Sequence, residues 1–300
     1  MWSPHKQGWG SDSTSKCISD PSNHGVNGLG NQLYTICNNA ILARRYNLKL
    51  AIGSPLVRAT FTVANALPQD CIGGTELPLL HSRERSIHHN VTTRWWFFES
   101  AVNQPLRPAA MHSLFASRYQ PWVWNEVRRI QATVPKIHTV IHIRTWSELH
   151  CAKKLTLGSC GQCLPKRTLH CINNAVRGGP ALLFTDYDGE VMRTLLRKNS
   201  KFGQSNSTVY YIESDMFHAG IDRHNWSISI NKKRNIASVL WALAYEAPFF
   251  IGTSSSTLSK SIAMARLKHK RSMLVDMRCR YGKEDRELFS CRKATLADLV

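Results

Sequence analysis

Three observations predict an α/β protein with doubly wound, mostly parallel sheets. Short apolar runs of strand length alternate with longer segments whose apolar residues recur at helical spacing. Side chains able to hold a ligand stand just past those runs, at His142 and Arg144, at Asp186, and from Gly252 to Thr257. That is where an open parallel sheet presents its binding crevice. No internal repeat or heptad array competes with this pattern.

Taken in order, residues 1–25 are polar, rich in Gly and Ser, and read as a flexible tail. Asn27 to Gly30 read as a turn entering a helix on which Leu33, Ile36, Cys37, Ala40 and Ile41 form one apolar face. Leu48 to Ile52 read as the strand that follows. A Gly-containing turn before a helix leaves amides open to an anion, although Gly-x-Gly-Asn is equally compatible with an ordinary capped loop.

From 53 to 135, Pro55, Pro68, Pro78, Pro105, Pro108 and Pro121 punctuate short segments. The clusters Trp95 to Phe98 and Trp122 with Trp124 fit either core or a carbohydrate-facing wall.

Thr139 to Glu148, TVIHIRTWSE, carries the central expectation. On a strand, Ile141 and Ile143 face one side while Val140, His142 and Arg144 face the other. A planar guanidinium beside an imidazole at the strand's end makes an anion clamp; the alternative is a strand ending in a solvated Arg with a half-buried His. Cys151, Cys160, Cys163 and Cys171 follow, compatible with a zinc site or with two disulfides pinning a loop.

Ala181 to Phe184 and Val209 to Ile212 read as strands. After the first of them, Asp186 is placed either to contact a ligand or to cap a helix over Gly189 to Arg197. Arg223 to Asn231 read as a connecting loop. Ile236, Val239, Leu240, Leu243 and Ala244 then mark a helix that ends before Pro248. A strand at Phe249 to Ile251, the turn Gly252 to Thr257 and a helix from Leu258 to Arg266 would form a phosphate cradle of amides and hydroxyls, or simply a capped helix. Residues 266 to 293 are basic and contain Cys279 and Cys291, a candidate disulfide.

The totals restrict the function. Lys and Arg number 39 against 20 acidic residues, a net charge of +19, so an anionic partner is implied: nucleic acid, an acidic surface or a nucleotide-bearing substrate. With 43 % hydrophobic and 20 % charged residues, wholesale disorder is excluded. No apolar stretch is long enough for a membrane span. Nine cysteines, with sequons at Asn90, Asn206 and Asn225, place the chain in an oxidising lumen of the secretory pathway, Golgi or endoplasmic reticulum. On that expectation, a targeting segment is absent from this sequence.

Four segments in this order resemble the fucosyltransferase superfamily of protein O-fucosyltransferases, α1,6-fucosyltransferases and, more distantly, α1,2 enzymes. Gly28-Leu29-Gly30-Asn31-Gln32-Leu33 resembles the amino-terminal glycine-asparagine motif. His142-Ile143-Arg144 is similar to the His-x-Arg motif, and Phe184-Thr185-Asp186 to the Thr-Asp motif. Phe250 to Thr253 and Ser256 to Ser259, ending at Arg266, resemble the third motif in its protein O-fucosyltransferase version.

The resemblance implies a GT-B fold of two Rossmann-like domains facing a cleft. The N-terminal domain, 26–135, would lie on the acceptor side and the C-terminal domain, 136–300, would bind the donor. It implies inverting transfer of fucose from GDP-fucose to a protein Ser/Thr or a glycan hydroxyl, with no metal or other cofactor and no nucleic acid. Arg144 would be the principal catalytic residue, with Gly30, Asn31, His142, Asp186, Ser255, Ser256 and Thr257 binding GDP-fucose. Two departures stand out. The second Arg and the Asp that follow His-x-Arg in the α1,2 and α1,6 families are replaced here by Thr145, Trp146, Ser147 and Glu148, and Gly28 stands near the position of a Glu base in one protein O-fucosyltransferase. Glu148 is a candidate general base; a surface carboxylate, or a route in which the leaving phosphate takes the proton, are the alternatives. From other classes, a basic nucleic-acid-binding module and an inactive GDP- or glycan-binding relative stay open.

Overall fold

Five short runs in the second half of the chain lie side by side as parallel strands, in a computed structural model that describes residues 17–19, 28–45, 49–63, 106–134, 136–144, 172, 179–185, 209–211, 226–254, 256–267, 269–275 and 292–293. The chain divides into two units, Met1–Gln120 and Pro121–Val300.

In the first unit, β1 (Cys17–Ser19) pairs in parallel with β2 (Lys49–Ala51). Helix α1 (Leu29–Arg45) connects them and packs on both. The predicted stripe is its inner face: Leu33, Ile36 and Cys37 are fully buried, and Ala40 and Ile41 nearly so. The helix starts earlier than the sequence predicts. Gly28 supplies the first carbonyl, accepting the amides of Asn31 and Gln32, so Gly30 lies inside the first turn and not in the loop before it.

Helix α2 (Pro55–Thr60) has Pro at its first position and Ser54 as its cap, the Ser54 hydroxyl accepting the Val57 amide at 3.1 Å. Helix α3 (Arg107–Phe115) packs on α1, and the buried Arg107 joins the two by donating from Nε to Asn38 Oδ1 at 2.9 Å. Burial pushes the Cys37 thiol up to about 12, which keeps it a neutral thiol against the Arg107 carbonyl. Phe61, Phe115 and Tyr119 close the core, with Phe61 and Phe115 ring centres 4.9 Å apart.

The second unit begins at Pro121 with helix α4 (Pro121–Thr133). Its apolar face is turned inward: Val123, Val127 and Ile130 are buried, and the helix packs on a helix of the same unit, α5 (Trp226–Glu246). Trp122 and Trp124 are half-buried. The strands are β3 (Thr139–Ile143), β4 (Ala181–Thr185), β5 (Val209–Tyr211), β6 (Phe249–Thr253), β7 (Arg271–Val275) and the antiparallel β8 (Arg292–Lys293). Their order is β5-β4-β3-β6-β7-β8. Counted from β3 this is 3-2-1-4-5-6, the order of a doubly wound dinucleotide-binding sheet. All five residues of β3 are buried, so Val140 and His142 are covered as well as Ile141 and Ile143; a central parallel strand is enclosed on both faces.

From Trp226 on, helix α5 replaces the loop expected at Arg223 to Asn231; residues 223–225 lie outside the described residues. No Gly or Pro interrupts the sequence from Ile221 to Ala247, and lysines and arginines sustain the polar first turns. Helix α6 (Thr257–Arg266) packs on α5, β6 and β7. Trp241, fully buried, donates from its indole to Ser261 Oγ at 3.1 Å and ties α5 to α6.

Candidate functional site

β3 and β6 are neighbours in the sheet, but the chain leaves them in opposite directions, from β3 toward β4 and β5 and from β6 toward β7. That makes their carboxyl ends the topological switch point, where doubly wound sheets bind ligands. His142 is the next-to-last residue of β3 and Arg144 the first beyond it. Thr253 ends β6, and Ser256 opens α6.

Register explains how these residues meet. His142 pairs with Gly252 across the β3–β6 ladder, so the two project to the same face. Gly252 has no side chain, and none would fit: a Cβ there would stand 2.7 Å from Ser259 Cβ and 2.8 Å from the Phe250 ring. Helix α6 therefore comes close to β6, and Ser259 Oγ reaches His142 Nδ1 at 2.7 Å. The same Oγ accepts the Thr253 amide at 3.1 Å. Thr253 in turn donates from Oγ1 to the His142 carbonyl at 3.0 Å and accepts the Arg144 amide at 3.0 Å. The backbone entering Arg144 is thereby fixed, while the Arg144 side chain is exposed.

Burial, and then the neighbouring Arg144 cation, pushes His142 down to about 3, so its ring is neutral at physiological pH. At the start of α6, Ser256 is the cap: its Oγ accepts the Ser259 amide at 3.4 Å and its carbonyl accepts the Lys260 amide at 2.9 Å. The amides of Thr257 and Leu258 carry no hydrogen bond to another described residue, and no acidic residue occupies the helix's first turn. The positive end of the helix dipole is left uncompensated. A cationic fork, a neutral imidazole, two open amides and a helix amino terminus gather at one pair of strand ends. Such a set of donors suits an oxyanion.

Among the residues singled out from sequence, His142, Arg144, Ser256 and Thr257 thus come together. Ser256 is almost fully buried as a helix cap, and Thr257 is half-buried at the first helical position. Glu148, Asp186 and Ser255 lie outside the described residues, as do the cysteines from Cys151 to Cys171 and the pair Cys279 and Cys291. Gly30 and Asn31 belong to the first unit; Asn31 Oδ1 is buried there with no hydrogen-bond partner among the described residues. Arg266 is fully enclosed and donates to the carbonyls of Ala244, Tyr245 and Ala247. It closes the end of α5. Sequence reasoning placed Gly252 and Thr253 in the expected cradle turn, but it gave no separate site role to Ser259, which stands three residues after the cap.

No protein-family model and no curated protein sequence matches the chain. Solved structures do resemble it in three dimensions. Arabidopsis thaliana FUT1, as a variant in complex with GDP, superposes with a TM-score of 0.52 at 10 % identity, over 91 % of this chain and 72 % of that one. The α-1,6-fucosyltransferase NodZ of Bradyrhizobium, soaked with GDP-fucose, gives 0.46 at 13 % identity over 88 % and 94 %. POFUT1 in complex with GDP gives 0.38 at 12 % over 59 % and 52 %. The chain has the α/β, GT-B type fold of the fucosyltransferases.

Proposed function

We infer that the protein is a glycosyltransferase that moves fucose from GDP-fucose to a hydroxyl acceptor, a protein Ser/Thr or a glycan, with inversion. The observation that carries this reading is the cluster of Arg144, His142 and the open amides of Thr257 and Leu258 at the switch point of a fucosyltransferase-type fold. The acceptor oxygen forms its bond to the anomeric carbon as the bond from that carbon to the diphosphate oxygen breaks. Negative charge then builds on the departing GDP, and preorganised donors stabilise it by several kcal/mol. Arg144 supplies the fork, the amides and dipole of α6 hold the phosphates, and Asn31 and Asp186 contribute from other segments. The acceptor's proton passes to Glu148 or to the leaving phosphate. Fixed cationic and amide donors here do the work that a metal does elsewhere, so metal independence is part of the proposal. Nine cysteines and three sequons support a setting in the secretory pathway lumen.

The test is release of the nucleoside diphosphate, GDP or UDP, from a panel of GDP- and UDP-sugars offered with glycan and peptide acceptors, with and without EDTA. GDP-fucose turnover that EDTA leaves intact is expected. Turnover of another donor, or its abolition by EDTA, would replace this reading.

A further inference from the structure

Ser259 Oγ has two neighbours in the fold. It accepts the Thr253 amide at 3.1 Å and lies 2.7 Å from His142 Nδ1. A serine hydroxyl carries one proton, and with Ser259 fully buried among the described residues that proton has a single acceptor, the ring nitrogen. If Nδ1 bore the hydrogen instead, the serine proton would be buried without a partner among the described residues, a penalty that disfavours that arrangement on the order of tenfold or more. The hydroxyl therefore donates to Nδ1, and the ring's own hydrogen sits on Nε2, the nitrogen with no protein partner among the described residues.

We propose that Ser259 is a positioning residue, which locks His142 in the Nε2–H tautomer so that the ring presents one neutral donor to an oxyanion bound at the ends of β3 and β6. Gly252 makes the lock possible, because any side chain there would hold Ser259 away. An imidazolium at this place would need Nδ1 to donate, breaking the same bond. The low proton affinity of the ring follows from the same burial. The donor role rests on the GDP-fucose reading given above; the tautomer does not.

Long-range 1H–15N spectra of the full chain labelled at histidine, with His142 assigned by its loss in His142→Gln, read the tautomer without any ligand. A protonated Nε2 and a bare Nδ1 are expected in the wild type, with mixing of the two forms in Ser259→Ala. GDP binding is then measured in a double-mutant cycle. Ser259→Ala should weaken GDP on the order of tenfold in the wild-type background and less than twofold in His142→Gln. A proton on Nδ1 in the wild type overturns the proposal, even if Ser259→Ala does not fold; so does an equal loss in both backgrounds. A wild-type protein that carries the Nε2 proton yet ignores GDP leaves the lock standing and removes the nucleotide reading instead.

Discussion

The hydroxyl of Thr253 is bonded to the backbone of Arg144, accepting its amide at 3.0 Å while donating to the carbonyl two residues earlier at His142. One side chain on β6 thus sets where the cation on β3 begins. Thr253 is fully buried. Thr253→Val keeps the shape and leaves a donor and an acceptor unpaired, about 1–3 kcal/mol each. Urea unfolding should show that loss, and GDP-fucose turnover should fall with it, while Thr253→Ser restores most of both. An unaltered denaturation midpoint in the valine variant would mean the two bonds contribute nothing.

Arg144 itself is exposed, so its removal should cost the fold within about 0.5 kcal/mol, as surface changes do. Its loss should show in chemistry. Arg144→Ala is expected to lower GDP release by on the order of a hundredfold or more with an unchanged thermal melt. Arg144→Lys keeps a charge and loses the planar fork, and should recover only part of the rate. Normal turnover in the alanine variant removes the catalytic assignment.

The strands that build this site were legible because a buried parallel strand is a short continuous apolar run, as at Thr139 to Ile143 and Phe249 to Ile251. The stripe on α1 was legible for the complementary reason, one buried face. The first turns of α5 were not: WSISINKKRN lacks that stripe, and the helix continues through it because nothing stops it. β7 was hidden by the basic residues around Arg271 to Val275. The contact of His142 with Ser259 spans 117 residues and depends on a strand register opposite a glycine, which no local pattern encodes.

Asn31 presents the reverse case, a polar atom buried in the first unit with no partner among the described residues. Such a group destabilises the protein that carries it by about 1–3 kcal/mol and is retained where a ligand uses it. Asn31→Ala should therefore leave the melting temperature equal or higher while raising the KM for GDP-fucose. A lower melting temperature with unchanged KM would show Asn31 to be structural.

Arg266 holds the carboxyl end of α5 against β7. Besides the three helix and turn carbonyls, it donates to Pro248 O at 3.1 Å, Arg271 O at 2.7 Å and Ser272 Oγ at 2.9 Å. Its charge sits at the negative end of that helix. Lysine cannot span these acceptors with three donors on one nitrogen. Arg266→Lys is expected to lose about 3 kcal/mol or more in urea unfolding, with GDP affinity of the folded protein within twofold of wild type. A loss below about 0.5 kcal/mol would show that water replaces the fork.

His142 gives stability a pH dependence with a definite sign. The folded ring titrates at about 3, against about 6.5 in an unfolded chain. Between those values the unfolded state binds the proton and the folded state does not, so acid favours unfolding. The contribution is complete above about pH 6.5 and is lost as pH falls toward 3, with a slope of at most about 1.4 kcal/mol per pH unit. With 13 histidines in the chain, the informative quantity is a difference. The stability of wild type relative to His142→Gln should decline by on the order of 1 kcal/mol per unit from pH 6 to 4. A difference that stays flat across that range would mean the folded ring accepts its proton as readily as a free one, and burial and the serine lock would then not be what keeps the imidazole neutral.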